Sequence, residues 1–213
     1  MGLINIACVL RAGGKFGYDS SWVKKLENSV RRNLTIDHKF ICLSDVEVPC
    51  QRIPLDPQGI GWWAKIQLFK PKLFDGPVLY FDLDTVLCNN IDDLVSTLLN
   101  QNNFLMERAK HNISSSAIMY WNGDYSQIYK KYIENPKYFE ELFSKSPLIG
   151  DQALISTTVN YKFLDEVCPP DWFHIVNKKD DLLDLSKVKI LIFRKKFKPS
   201  TLSEHKLVKK HWK

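Results

Sequence analysis

The sequence predicts an α/β domain on a mainly parallel central sheet. Short apolar runs of strand length alternate with amphipathic helical patterns from one end of the chain to the other, which is the signature of that class. Hydrophobic residues make up 45% of the 213 positions and charged residues 25%, ordinary values for a chain that packs a core. The length suits one domain, and no repeat or low-complexity linker divides it.

The elements follow in order. Ile4–Leu10 is a short apolar run ending at Gly13-Gly14, so it reads as a buried strand. Ser20 and Ser21 are candidate caps for a helix reaching Asn33, with Trp22, Leu26 and Val30 four apart on one face. Lys39–Leu43 is a second strand. Residues 44–60 are rich in Pro, Asp and Gly and read as a loop. Trp62–Lys70 suits a short helix stopped by Pro71. Pro77–Phe81 is a third strand, followed by a polar segment. Ile91–Leu99 is helical, and Phe104–Met106 and Ser115–Trp121 are strands. Helices follow near 124–134, 137–143 and Asp151–Val159. Val188–Phe193 is the last strand, and Leu202–Trp212 forms a short basic helix.

Net charge is +6, but it is unevenly placed. Residues 187–213 hold ten Lys and Arg against one acid, a net +9, which leaves −3 for the first 186 residues. The expected organisation is a domain over 1–200 and a basic tail over 201–213. The five cysteines form no CxxC pair, which argues against a disulfide framework and a structural zinc site and for reduced, mostly buried thiols. No apolar stretch reaches the roughly 20 residues of a membrane span. No basic leader precedes the first strand, so a cytoplasmic protein is expected.

In α/β sheets ligands bind at the carboxyl ends of strands. The informative end is Val78-Leu79-Tyr80-Phe81-Asp82-Leu83-Asp84. Strand alternation would put both carboxylates on one side, where they repel unless a cation joins them. Hard oxygen ligands suit Mn²⁺ or Mg²⁺, which in turn would steady a diphosphate leaving group. The run Asp82-Leu83-Asp84-Thr85-Val86 also matches the nucleophile motif of haloacid-dehalogenase-like phosphatases. That reading needs a later Lys and acidic pair, for which Lys179-Asp180-Asp181 has the letters but no strand leading into it. A third reading is a basic nucleic-acid-binding protein using its tail, without catalysis.

Six segments in order resemble bacterial and phage glycosyltransferases of the nucleotide-diphospho-sugar (GT-A) fold, near glycosyltransferase family 8. They are Ile6–Gly14, Phe40–Asp45, Gly61–Phe69, Leu73–Val86, Ser115–Trp121 and Gly150-Asp-Gln152. The resemblance implies a sugar moved from a nucleoside-diphosphate sugar to an acceptor hydroxyl, with retention at the anomeric carbon. It implies that Leu10, Arg11 and Ala12 hold the base and ribose, that Lys65 faces the donor, and that Asp82 and Asp84 bind Mn²⁺ or Mg²⁺. It makes Asp151 and Gln152 the pair beside the transferred sugar. Trp62 and Trp63 are read as core or a helix-start staple rather than a stacking platform.

After the last strand, relatives place a His that ligates the metal; here Arg194 stands in that position, and a guanidinium cannot ligate a metal. Either His205 or His211 replaces it, or Arg194 and Lys196 neutralise the diphosphate, with Lys196 and Lys198 keeping the family's cationic positions. The acceptor class stays open between a glycan, a lipid-linked sugar and a modified DNA base. For the basic tail, closing over the donor, DNA contact and peripheral contact with an anionic surface all stay open.

Overall fold

The computed structural model describes residues 3–109, 112–145, 149–176, 184–194 and 197–213. Its main sheet has seven strands. In chain order they are β1 (Ile4–Leu10), β2 (His38–Ser44), β3 (Gln51–Pro54), β4 (Val78–Phe81), β6 (Phe104–Arg108), β7 (Ser114–Trp121) and β8 (Tyr161–Phe163). Their spatial order is β3-β2-β1-β4-β7-β6-β8. Only β7 runs against its neighbours β4 and β6; every other adjacent pair is parallel. The second sheet is smaller: β5 (Val86–Leu87), β10 (Ile190–Ile192) and β9 (Phe173–Ile175).

The central strands are nearly continuous apolar runs because helices cover both faces. On one face lie α1 (Ser20–Asn33) and α2 (Asp92–Leu99), which bury Trp22, Leu26, Val30, Leu94, Val95 and Leu98 against β1 and β4. On the other lie a 3-10 segment (Gly61–Phe69), α3 (Ser126–Glu134) and α5 (Gly150–Thr158). α4 (Pro136–Leu142) follows α3, and Asn135 accepts from the Tyr138 N–H to start it. No helix among the described residues is long and apolar enough to cross a membrane. All five cysteines are free, and only Cys50 is not fully buried.

Several boundaries differ from expectation for identifiable reasons. The cap of α1 is Asp19, whose carboxylate accepts from the Ser21 N–H at 2.9 Å; Ser20 and Ser21 lie inside the first turn. The 44–60 loop contains β3, an edge strand, where a proline at its end costs no ladder bond. The helix after it is 3-10 rather than α. β8 and β9 are three residues each and only half-buried, too short to show alternation in the sequence.

The C-terminal segment is built into the fold. A 3-10 turn (Pro199–Leu202) leads into α6 (Lys206–His211). Leu207 and Val208 are buried in a third cluster with Val86, Cys88, Val188 and Leu191. Trp212 meets Trp22 edge-on at 5.0 Å, Lys25 Nζ lies 4.3 Å from the Trp212 ring, and Arg32 donates to the His211 carbonyl at 2.8 Å. Leu207→Ala is therefore expected to cost about 2–4 kcal/mol in a urea-unfolding measurement; a tail free in solvent would show no change.

Candidate active site

β4 ends at Phe81, and Asp82–Asp84 form a turn closed by the Thr85 N–H on the Asp82 carbonyl at 2.9 Å. Strand alternation therefore does not orient the two carboxylates, contrary to the sequence reading; the turn does. Alternation does operate one step earlier. Tyr80 and Asp82 stay on one side, and the Tyr80 hydroxyl donates to Asp82 Oδ1 at 2.6 Å.

The antiparallel β7 starts where β4 ends. The Asp82 N–H donates to the Ala117 carbonyl at 2.8 Å, which brings Ser116 to the site. The Ser116 hydroxyl donates to Asp151 Oδ2 at 2.6 Å. Asp151 is in the first turn of α5, with Gln152, half-buried, beside it. From the 3-10 segment Lys65 reaches into the middle. Its Nζ is 2.9 Å from Asp82 Oδ1, 3.1 Å from Asp151 Oδ2 and 2.9 Å from Ser116 Oγ. Lys65 therefore joins the carboxylate after β4 to the α5 carboxylate.

Asp84 has different partners. Lys198 forms an ion pair with its Oδ2, and the Tyr18 hydroxyl donates to the same oxygen at 3.3 Å. Arg194 is paired with the buried Glu107, which a register shift after Met106 turns toward it. Arg194 thus sits beside the site with its charge already engaged. Lys196 and the Lys179-Asp180-Asp181 run lie outside the described residues.

At the end of β1, Leu10 is fully buried in the core. Arg11 donates to the carbonyls of Asp56, Gln58 and Gly59 at 2.7, 3.0 and 3.3 Å, and Asp45 accepts the Ala12 N–H at 2.9 Å. Arg11 thus organises the loop that leads to Lys65. Trp63 is core, stacked on Tyr132 at 5.3 Å, as expected; Trp62 is not, being 59% exposed.

The electrostatics follow from burial. Burial pushes the Asp151 carboxyl up, and Lys65 and Ser116 pull it back only in part. Burial also raises Asp84 against the pull of Lys198, and Glu107 against the pull of Arg194. For Lys65 burial acts downward, but Asp151 and Asp82 outweigh it and hold the ammonium above the ordinary lysine value. Burial raises the Tyr18 and Tyr80 phenols, and their carboxylate neighbours raise them further, so both stay protonated as donors.

Sequence reasoning missed Tyr18, Tyr80, Ser116 and Glu107. Tyr80 had a signal, two positions before Asp82 on one strand. The others reach the site only through long-range pairing.

No protein-family model matches the chain, and no curated protein sequence matches it. Solved structures do, among them several glycosyltransferases. GlyE from Streptococcus pneumoniae TIGR4 matches at a TM-score of 0.64 and 13% identity, over 92% of this chain and 56% of its own. The apo WbbM bifunctional glycosyltransferase matches at 0.57 and 14%, over 92% of this chain and 46% of its own. The galactosyltransferase LgtC, in complex with donor and acceptor sugar analogues, matches at 0.57 and 11%, over 98% of this chain and 96% of its own. The chain has the GT-A fold, and it spans about half the length of GlyE and WbbM.

Removing the shared cation strands two carboxylates. Lys65→Met is expected to lower stability by about 3–5 kcal/mol, because buried Asp151 loses its counter-charge; denaturant titration checks it. The raised Asp151 carboxyl binds protons more tightly folded than unfolded. Its contribution to stability thus falls as pH rises from the unfolded value of 3.8 through the folded one. Thermal scans at a series of pH values should show wild type losing ground to Asp151→Asn across that window. A gain instead would mean that Lys65 dominates burial.

Proposed function

We propose that this chain transfers a sugar from a nucleoside-diphosphate sugar to an acceptor hydroxyl on a glycan, a lipid-linked sugar or a modified DNA base. The observation that carries the proposal is the Lys65 bridge between Asp82 and Asp151, at the strand end where an α/β sheet binds ligands. The GT-A fold supports it.

The residues fit a divalent ion. Among the described residues, the contacts of Asp82 fall on Oδ1 and those of Asp84 on Oδ2, so one oxygen of each carboxylate is uncommitted. No group of three or more His, Cys, Asp and Glu converges among the described residues, so neither His205 nor His211 completes a triad with this pair. Mg²⁺ and Mn²⁺ accept one or two protein carboxylates with substrate phosphate and water in the remaining positions. Asp82 and Asp84 would hold the ion, which would neutralise the diphosphate leaving group.

Charge balance favours such an ion. Among the described residues, Asp82, Asp84, Asp151 and Glu107 oppose Lys65, Lys198 and Arg194, a net −1. A diphosphate entering that field is repelled, and one divalent cation reverses its sign. Lys198, already beside Asp84, is placed to follow the diphosphate once the ion takes the carboxylate. Asp151 and Gln152 would orient the transferred sugar or steady positive charge at its anomeric carbon, with retention of configuration. Leu10, Arg11 and Ala12 would hold the nucleoside through backbone that Asp45 and the 56–59 loop keep in place.

The other readings have less support. The phosphatase motif falls here on a GT-A sheet whose β4 has an antiparallel neighbour. Half of the ten basic residues over 187–213 are engaged: Lys187, Lys189, Arg194, Lys198 and Lys209 are each ion-paired to an acid. That leaves less free charge for a nucleic-acid backbone than the composition implies.

Thermal-shift measurements with UDP and GDP, with and without Mn²⁺, test the proposal. A rise in Tm with one nucleotide that needs the metal is expected; no shift with either nucleotide counts against a transferase. Asp84→Asn should abolish the metal-dependent part, and an unchanged shift would remove Asp84 from the metal site.

A further inference from the structure

Trp62 is the largest side chain that the fold leaves in solvent. Two independent features place it beside the site. In a 3-10 helix residues three apart eclipse, about 6 Å apart along the axis, so Trp62 stands one turn above Lys65 on the same face. Its indole also lies over Gly150, the residue before Asp151. A methyl built on Gly150 would come within 2.6 Å of Trp62 Nε1, and the backbone there has a φ of +66°. Glycine is what lets the ring lie flat against the start of α5.

The backbone that carries the ring is also held in advance of any ligand. Arg11 grips the carbonyls of Asp56, Gln58 and Gly59, immediately before Ile60 and the 3-10 segment. Gly59 packs so tightly on the Trp63 backbone that an added methyl would sit 2.9 Å from it. Ile60, two residues before Trp62, and Ile149, just before Gly150, are exposed too, so both segments that meet at the indole present apolar surface above a charged floor. Single exposed apolar residues need no explanation, but a fixed aromatic in an apolar rim at the mouth of a site does. A rigid exposed aromatic loses little freedom on binding, which is how such residues contribute affinity.

We propose that Trp62 is the platform on which a pyranose ring of the acceptor stacks its apolar face. This rests on the transferase reading. The floor, with Lys65 and Asp151 both buried, takes the sugar being transferred. The next ring outward, about one helical turn away, is the one that meets the indole. A pyranose has one face of C–H groups and an equator of hydroxyls, which matches an apolar rim around a polar centre.

The test uses full-length protein with ¹⁵N-labelled tryptophan, the Trp62 indole N–H being assigned by its loss in Trp62→Phe. The probes are methyl α- and β-pyranosides of glucose, galactose, mannose and N-acetylglucosamine, UDP alone, and phosphatidylglycerol vesicles. A saturable shift of the Trp62 resonance with at least one pyranoside is expected, with affinity reduced at least tenfold in Trp62→Ala and unchanged in Tyr138→Ala, an exposed aromatic on α4. Movement with UDP alone would make Trp62 a base platform and overturn the proposal. Movement only with vesicles would make it a membrane contact and overturn it equally. No movement with any pyranoside, in protein that hydrolyses a UDP-sugar, refutes the platform and leaves the transferase standing. A pyranoside shift in protein that neither binds nor hydrolyses any nucleotide sugar removes the transferase reading but keeps the sugar site.

Discussion

Lys65 carries one positive charge into a nearly dry site and meets two carboxylates there, and four segments of the chain take their relative positions from that meeting. Asp82 belongs to the turn after β4, Asp151 to the start of α5, Ser116 to the start of β7, and Lys65 itself to the 3-10 segment. Lys65 and Asp151 are not stable in that place alone, since a buried charge without a partner costs several kcal/mol. The antiparallel β7 is what makes the arrangement possible, because it delivers its first residues to the same edge at which β4 delivers its last.

The three ion pairs at the site have different characters. Lys65 is enclosed and shared, so it works as part of the frame. Arg194 is committed to Glu107, a carboxylate that burial makes costly to leave alone. Lys198 reaches Asp84 from the entry to the C-terminal 3-10 turn, the segment that Leu207, Val208 and Trp212 pin to the body. Its Nζ also lies 5.2 Å from the centroid of the Phe16 ring. A site of this kind has most of its negative charge compensated by cations of the chain itself.

Much of the fold was legible because it rests on local periodicity. The boundaries of β1 and the end of α1 come out as read, and β4, β7 and α5 shift by a single residue, since long apolar runs and amphipathic stripes survive without context. Short half-buried strands such as β8 and β9 did not come out, because three residues show no alternation. The strand end at Phe81 comes out as read, but carrying strand alternation on to Asp82 and Asp84 fails, because the chain turns there and closes the Thr85 N–H on the Asp82 carbonyl. The net charge of +6 also changed meaning. Four of the ten basic residues at the C-terminus, Lys187, Lys189, Arg194 and Lys198, are paired with acids of the body rather than held on one free surface.

The residues of the candidate site divide along the same line. Sequence by itself determined the chemistry available: the Asp82 and Asp84 pair, the Gly150-Asp151 step, Lys65 in a short helical segment stopped by Pro71, and a cationic C-terminus. Each is a residue type beside a local signal. Only the tertiary structure decided which of them meet. It put Lys65 between Asp82 and Asp151, gave Asp84 to Lys198 and Tyr18, turned Arg194 toward Glu107, and left Trp62 in solvent above the site while its neighbour Trp63 became core. The reason is physical. Local spacing sets the direction of a side chain within its own element, whereas a partner from dozens of residues away is chosen by strand order, by one reversed strand, and by the cost of burying any charge unpaired.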